Sequence, residues 1–143
     1  MIYDITAGIV RKDGIVFGSG YSGHGPGRNN PAMEGAPEVG PIPCGDYEIC
    51  GPPFTSPKTG QYVLRLRPDA PTRARIIALG RNPDSFEWHG DSIEHPGKAS
   101  DGCVVSPRAT RVHAWQSGDR HLQAVSGIAP APQSSQFPIL SLK

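Results

Sequence analysis

Glycine and proline set the first limit on this chain: 18 Gly and 16 Pro place 34 turn-forming residues among 143, about twice the roughly 12 % of average usage. Proline lacks the N–H a helix interior needs and glycine loses the most backbone entropy there, so this surplus excludes a helical bundle or a coiled coil. It does not exclude a packed core. Apolar residues make up 36 % before glycine is counted, near the usual globular share, and a chain of this length buries about two thirds of its unfolded surface without a metal or disulfide staple. The expectation is one mainly β domain over residues 1–128 with long Gly/Pro-rich loops. Ala129-Pro130-Ala131-Pro132-Gln133 then opens an extended polar tail over 129–143.

Charge and hydropathy remove several classes of function. Lys and Arg number 14 against 13 Asp and Glu, for a net charge of +1, with no basic run interleaved with aromatics, so nucleic acid is not an expected partner. The longest apolar runs, such as Ile76 to Leu79, fall far short of the roughly 18 residues of a membrane span. Met1-Ile2-Tyr3-Asp4 lacks the basic and apolar regions of a secretory signal, so the chain reads as made in the cytoplasm without that address. Its 3 cysteines are an odd number, leaving at least one free thiol. Cys44 and Cys50 flank an extended segment and lie roughly 20 Å apart, beyond disulfide reach.

Periodicity gives the elements. Tyr3, Ile5, Ala7 and Ile9 alternate with polar or small residues, and Asp13-Gly14 turns the chain into Ile15-Val16-Phe17 as a hairpin. From Gly18 to Gly40 no period survives, and a stretch that long is expected to be a functional loop or a lid. Strands are expected over Asp46–Cys50, Gln61–Arg67, Ile76–Leu79, Phe86–His89 and His121–Val125. One helix is expected after the third cysteine, with Ser106 as its N-cap, Pro107 at its first position, Val112 and Trp115 as an apolar pair, and Gly118 as its stop.

Chemistry concentrates in Phe86-Glu87-Trp88-His89-Gly90 and Ser100-Asp101-Gly102-Cys103. A thiol is a good nucleophile only when ionised. His89, at a strand end, is placed to act as its base, and a helix starting near Pro107 would bring its positive end toward Cys103. Gly102 lets a substrate carbonyl approach the backbone, and the Gly102 and Cys103 N–H groups are candidate oxyanion donors. His89, His95 and Cys103 could also be read as zinc ligands, but without a paired CxxC that signal is weak.

His-Gly followed by Ser-x-Gly-Cys resembles the signature of the YkuD-like L,D-transpeptidase catalytic domain, and Gly40-Pro41-Ile42-Pro43-Cys44-Gly45-Asp46-Tyr47 resembles its upstream Pro-x-Gly-x-Tyr strand entry. The Gly-Pro-Ile-Pro form and the Tyr21-Ser22-Gly23 and Asn29-Asn30-Pro31 loop are most similar to the type VI secretion L,D-transpeptidase effectors, over about residues 15 to 125. The resemblance implies a YkuD-like β-sandwich with no cofactor or metal. It implies Cys103 as nucleophile, His89 as base, the Gly90 carbonyl behind the imidazole and Gly102 at the oxyanion position. Ser100, Asp101, Tyr21 and His24 become candidate substrate contacts. Many relatives carry Arg two positions after the cysteine where this chain has Val105, so Arg108 is the candidate for binding a substrate carboxylate.

The implied chemistry is attack on the amide after the third residue of a peptidoglycan stem tetrapeptide, releasing D-alanine and leaving a thioacyl-enzyme. Water, a free D-amino acid or a second stem then accepts the acyl group, giving carboxypeptidase, exchange or cross-linking activity. The implied setting is an antibacterial toxin acting in the periplasm of a target bacterium, with a cognate immunity protein and a secretion-machine component as partners. The alternative is a catalytically silent cell-wall or partner-binding module on the same fold. A papain-like peptidase fits less well, because there the cysteine precedes the histidine in the chain.

Overall fold

The computed structural model describes residues 1–127; the tail expected over 129–143 lies outside the described residues. Nine strands, β1 (Ile2–Asp4), β2 (Ile9–Lys12), β3 (Ile15–Ser19), β4 (Tyr21–Ser22), β5 (Gly45–Ser56), β6 (Gly60–Pro68), β7 (Glu87–His89), β8 (Val104–Val105) and β9 (His121–Val125), join in one sheet. Their order is β3-β2-β1-β9-β5-β6-β7-β8-β4. The mainly β expectation holds, and the topology says how the sheet bends. β3 and β4 stand at opposite ends of that order, yet only Gly20 separates them in the chain, so the sheet curls until its two edges meet. At that seam the Gly20 N–H donates to the Gly8 carbonyl (2.9 Å), and any Cβ at Gly20 would collide with the Val105 carbonyl and Ser106 Oγ.

The expected N-terminal hairpin is divided. Residues 5–8 form a turn in which the Ala7 N–H donates to Asp4 Oδ1 (3.1 Å) and the Gly8 N–H to the Asp4 carbonyl (2.8 Å), so the alternating run becomes β1 and β2. Asp13 and Gly14 then take φ of 53° and 78°, the left-handed pair a two-residue hairpin turn needs. Tyr3, Ile42, Tyr47, Leu64, Trp88, Val104 and Leu122 fill the interior at 1 % exposure or less.

Among the described residues there are two α-helices, α1 (Ala70–Ala78) and α2 (Arg108–Gln116), where one was expected. The Ile76–Leu79 run, expected as a strand, closes α1. Asp69 caps this helix by accepting from the Thr72 N–H (3.0 Å), and Thr72 and Ile76, four residues apart, face inward while Ile77 is exposed. Its end is a Schellman turn: Gly80, at φ 80°, donates to the Ile77 carbonyl (2.9 Å) and Arg81 to the Ile76 carbonyl (3.1 Å). That turn directs Arg81 back into the protein. Among the described residues no helix is long and apolar enough to cross a membrane.

Candidate active site

β7 and β8 run parallel, with Trp88 opposite Val104 and His89 opposite Val105. Alternation sends Trp88 and Val104 into the core, both at 0 % exposure, and turns Glu87 and His89 to the other face. Cys103, one residue before β8, shares that face and borders a cleft of about 560 Å³ with Lys58, Arg81, Ser85, Glu87 and Asp101. His89 is 2 % exposed, and its Nδ1 lies 2.7 Å from the Gly90 carbonyl. That carbonyl can only accept, so Nδ1 carries the proton and Nε2 keeps its lone pair.

Electrostatics favour a neutral resting pair. Burial pushes the Cys103 thiol up to about 12, although a Glu87 backbone hydrogen bond and the Lys58 charge pull it down. Burial lowers the His89 imidazole, outweighing the Gly90 hydrogen bond and Glu87, which raise it; the Arg111 charge adds to the lowering. The helix whose dipole was expected to help the thiol starts one residue later than expected, α2 beginning at Arg108 after β8 and Ser106-Pro107. Nor does Ser106 cap that helix. Pro107 holds the N-cap position, and Ser106 Oγ accepts from the buried Trp88 Nε1 instead (2.9 Å).

The loop that leads to Cys103, residues 100–103, is built around buried hydroxyls. Ser100 is 0 % exposed, so it braces the loop rather than meeting substrate. Its Oγ donates to the Cys103 carbonyl (2.5 Å) and accepts from the Gly102 (3.1 Å) and Gly23 (2.9 Å) N–H groups. The Gly102 N–H, expected as an oxyanion donor, is therefore engaged inside the loop. Ser22 Oγ lies 3.2 and 3.0 Å from the Gly102 and Cys103 carbonyls and accepts from the Ile42 N–H (2.8 Å).

Arg81 closes the loop from beneath. It is 8 % exposed; Nη1 donates to the Glu34 (2.8 Å) and Pro41 (2.5 Å) carbonyls, and Nη2 to the Gly40 (3.3 Å) and Asp101 (3.1 Å) carbonyls. Gly102 sits against it at φ 134°, where a Cβ would collide with Nη2. Both the conformation and the contact require glycine there.

The remaining candidates divide. His24 Nδ1 bonds the Ser100 carbonyl (2.8 Å) and lies 3.6 Å from Asp101 Oδ1, so both residues stand at the loop. Tyr21 lies to one side, lining a neighbouring groove with Arg28 and Asp91. Its hydroxyl donates to Asp91 Oδ1 (2.6 Å) and accepts from the Ala99 N–H (2.9 Å). Arg108, expected to bind a carboxylate, contacts Gln61 Oε1 (3.0 Å) and the Tyr62 ring and does not line the Cys103 cleft. Among the described residues no three His, Cys, Asp or Glu side chains converge as a metal site. Sequence reasoning missed Arg81, Ser22 and Arg111. Arg111, 5 % exposed, donates to the Ser106 (3.2 Å), Gln61 (2.9 Å) and Tyr62 (2.6 Å) carbonyls and packs against Gly90.

The curled, mainly β sheet thus sets His89 of β7 and Cys103, one residue before β8, on one face. The Tlde1 domain family matches residues 18–127, close to the expected span, and the chain belongs to that family of type VI secretion L,D-transpeptidase effectors. The family is one of effectors with peptidoglycan-related activity. No curated protein matches the chain.

Proposed function

We propose that this effector cleaves or exchanges the terminal D-amino acid of peptidoglycan stem tetrapeptides through a thioacyl-enzyme on Cys103. The observation that carries the reading is the His89 Nδ1 contact to the Gly90 carbonyl at 2.7 Å, which leaves Nε2 as the base on the strand beside the one Cys103 leads into. Nε2 takes the thiol proton as sulfur attacks the amide carbon. The tetrahedral intermediate collapses by breaking the C–N bond, His89 returns the proton to the leaving D-alanine amine, and a thioester remains. Water or an amine then gives its proton to Nε2, attacks the thioester and frees the thiol. Burial, which raises the Cys103 thiol and lowers the His89 imidazole, favours proton transfer that accompanies attack over a preformed ion pair.

The same reading places the reaction in the periplasm of a target bacterium. There, loss of donor tetrapeptides weakens cross-linking, and a cognate immunity protein protects the producer. The test is incubation with purified muropeptides. Wild type converts tetrapeptide to tripeptide or to a D-amino-acid-exchanged product, and Cys103→Ala converts none. An unchanged tetrapeptide peak with wild type would instead support the silent binding module.

A further inference from the structure

This inference rests on the proposed reaction and concerns how the acidic end of the substrate is held. Recognition of a carboxylate beside the thiol needs a cation with unused donors in the same cleft. Arg108 donates to Gln61 Oε1 (3.0 Å) and does not line that cleft. Arg81 lines it, but both of its Nη groups donate to backbone carbonyls. Lys58 differs on both counts. It lines the cleft from the tip of the β5–β6 hairpin; its side chain is 84 % exposed and its ammonium lies 3.9 Å from Asp101 Oδ2, a loose, solvent-screened pair.

The hairpin tip is held in place. Ser56 Oγ accepts from the Lys58 and Thr59 N–H groups (both 3.2 Å), and Thr59 Oγ1 donates to Glu87 Oε1 (3.1 Å). Glu87 belongs to β7, the strand that carries His89, so the turn bearing Lys58 is tied to the catalytic strand.

We propose that Lys58 is the carboxylate-binding residue of this site, its ammonium holding the free C-terminal carboxylate of the leaving D-amino acid while Cys103 attacks the amide before it. A compact ammonium on a flexible stem meets a carboxylate in many orientations, and the weak Asp101 contact is readily exchanged for the substrate. Lys58 thereby takes over the role of the arginine missing at Val105 from a different part of the chain, since Val105 lines the neighbouring Tyr21 groove and not this cleft. It also makes the site selective for a chain end over an internal amide.

A two-by-two comparison tests this: wild type and Lys58→Gln, each on a tetrapeptide muropeptide with a free terminal carboxylate and on the same peptide ending in an amide. Wild type is expected to show a KM about tenfold lower for the acid at similar kcat, the size of a charge-assisted contact. Lys58→Gln brings the acid-to-amide ratio of kcat/KM down to about one, a ratio from which any effect of the lost charge on the Cys103 thiol cancels, and Lys58→Arg restores most of the preference. Turnover by wild type with the acid preference intact in Lys58→Gln overturns the assignment and leaves the reaction standing. Absence of turnover by wild type on both peptides overturns the reaction itself.

Discussion

Two irregular segments, residues 23–44 and 91–99, flank the loop of residues 100–103, and they are held in opposite ways. The first is tied to buried structure. Arg81 gathers its Glu34, Gly40 and Pro41 carbonyls, Glu34 pairs with Arg75 and accepts from the Cys44 N–H (2.9 Å), and a Cβ at Gly40 would collide with the Met33 carbonyl. The second is tied by exposed or half-buried contacts, through Asp91, the Ala99 N–H on Tyr21 Oη (2.9 Å) and Arg28 on the Gly97 carbonyl (3.5 Å). Asp91 Oδ1 accepts from Tyr21 Oη (2.6 Å) and from the Ser92 (2.8 Å) and Gly97 (3.1 Å) N–H groups, while Ile93 stands 97 % exposed. Similar Gly/Pro chemistry thus yields a fixed wall of the cleft in one place and a tethered flap in the other. What separates them is a buried guanidinium, not composition.

The largest expected effect comes from removing that guanidinium. Arg81→Met strands four carbonyls and is expected to destabilise the protein by about 3–5 kcal/mol, against about 1–2 kcal/mol for Asp91→Asn; equal shifts in denaturant midpoint would break the contrast. Gly40→Ala, blocked by rigid backbone, should cost about 2–3 kcal/mol. Gly97→Ala meets only the mobile end of Arg28 at 2.7 Å and a φ of 81°, which costs about 1 kcal/mol. Tyr21→Phe should cost about 1–2 kcal/mol and speed amide exchange over 91–99 while leaving 23–44 protected. The smallest effect is on pH. Hydrogen bonds from Tyr21, Gly97 and Ser92 outweigh burial and hold the Asp91 carboxyl below its ordinary 3.8. Its contribution to holding the flap is therefore complete above that value and lost as pH falls through the lower folded-state value. Exchange over 91–99 should accelerate in that window before the rest of the protein responds.

Much of the sheet, and the placement of Cys103 and His89 on one face, were legible because each leaves a local mark. Alternation marked β6, Asp13-Gly14 marked its turn, and the spacing of His-Gly from Ser-x-Gly-Cys marked the site. α1 was obscured because Ile76-Ile77-Ala78-Leu79 reads as a buried strand; the overriding signals were the Asp69 cap and Pro71 in the first turn. Arg81 was not legible. Between Gly80 and Asn82 it reads as a surface turn residue, and its carbonyl partners on residues 34–41 lie 40 or more positions away. Arg108 and Arg111 were separated only by packing: three residues apart on α2, one is exposed at Gln61 and the other braces Gly90 from within.

The central claim is that Cys103 carries the acyl group. Rapid-quench mixing of the protein with a stem tetrapeptide, followed by intact and peptide-level mass measurement, tests it directly. The account predicts, within one turnover, the mass of the stem shortened by its terminal D-amino acid on the peptide containing Cys103, and none on Cys103→Ala. Product formation that persists in Cys103→Ala, with no adduct on that peptide in wild type, would contradict it.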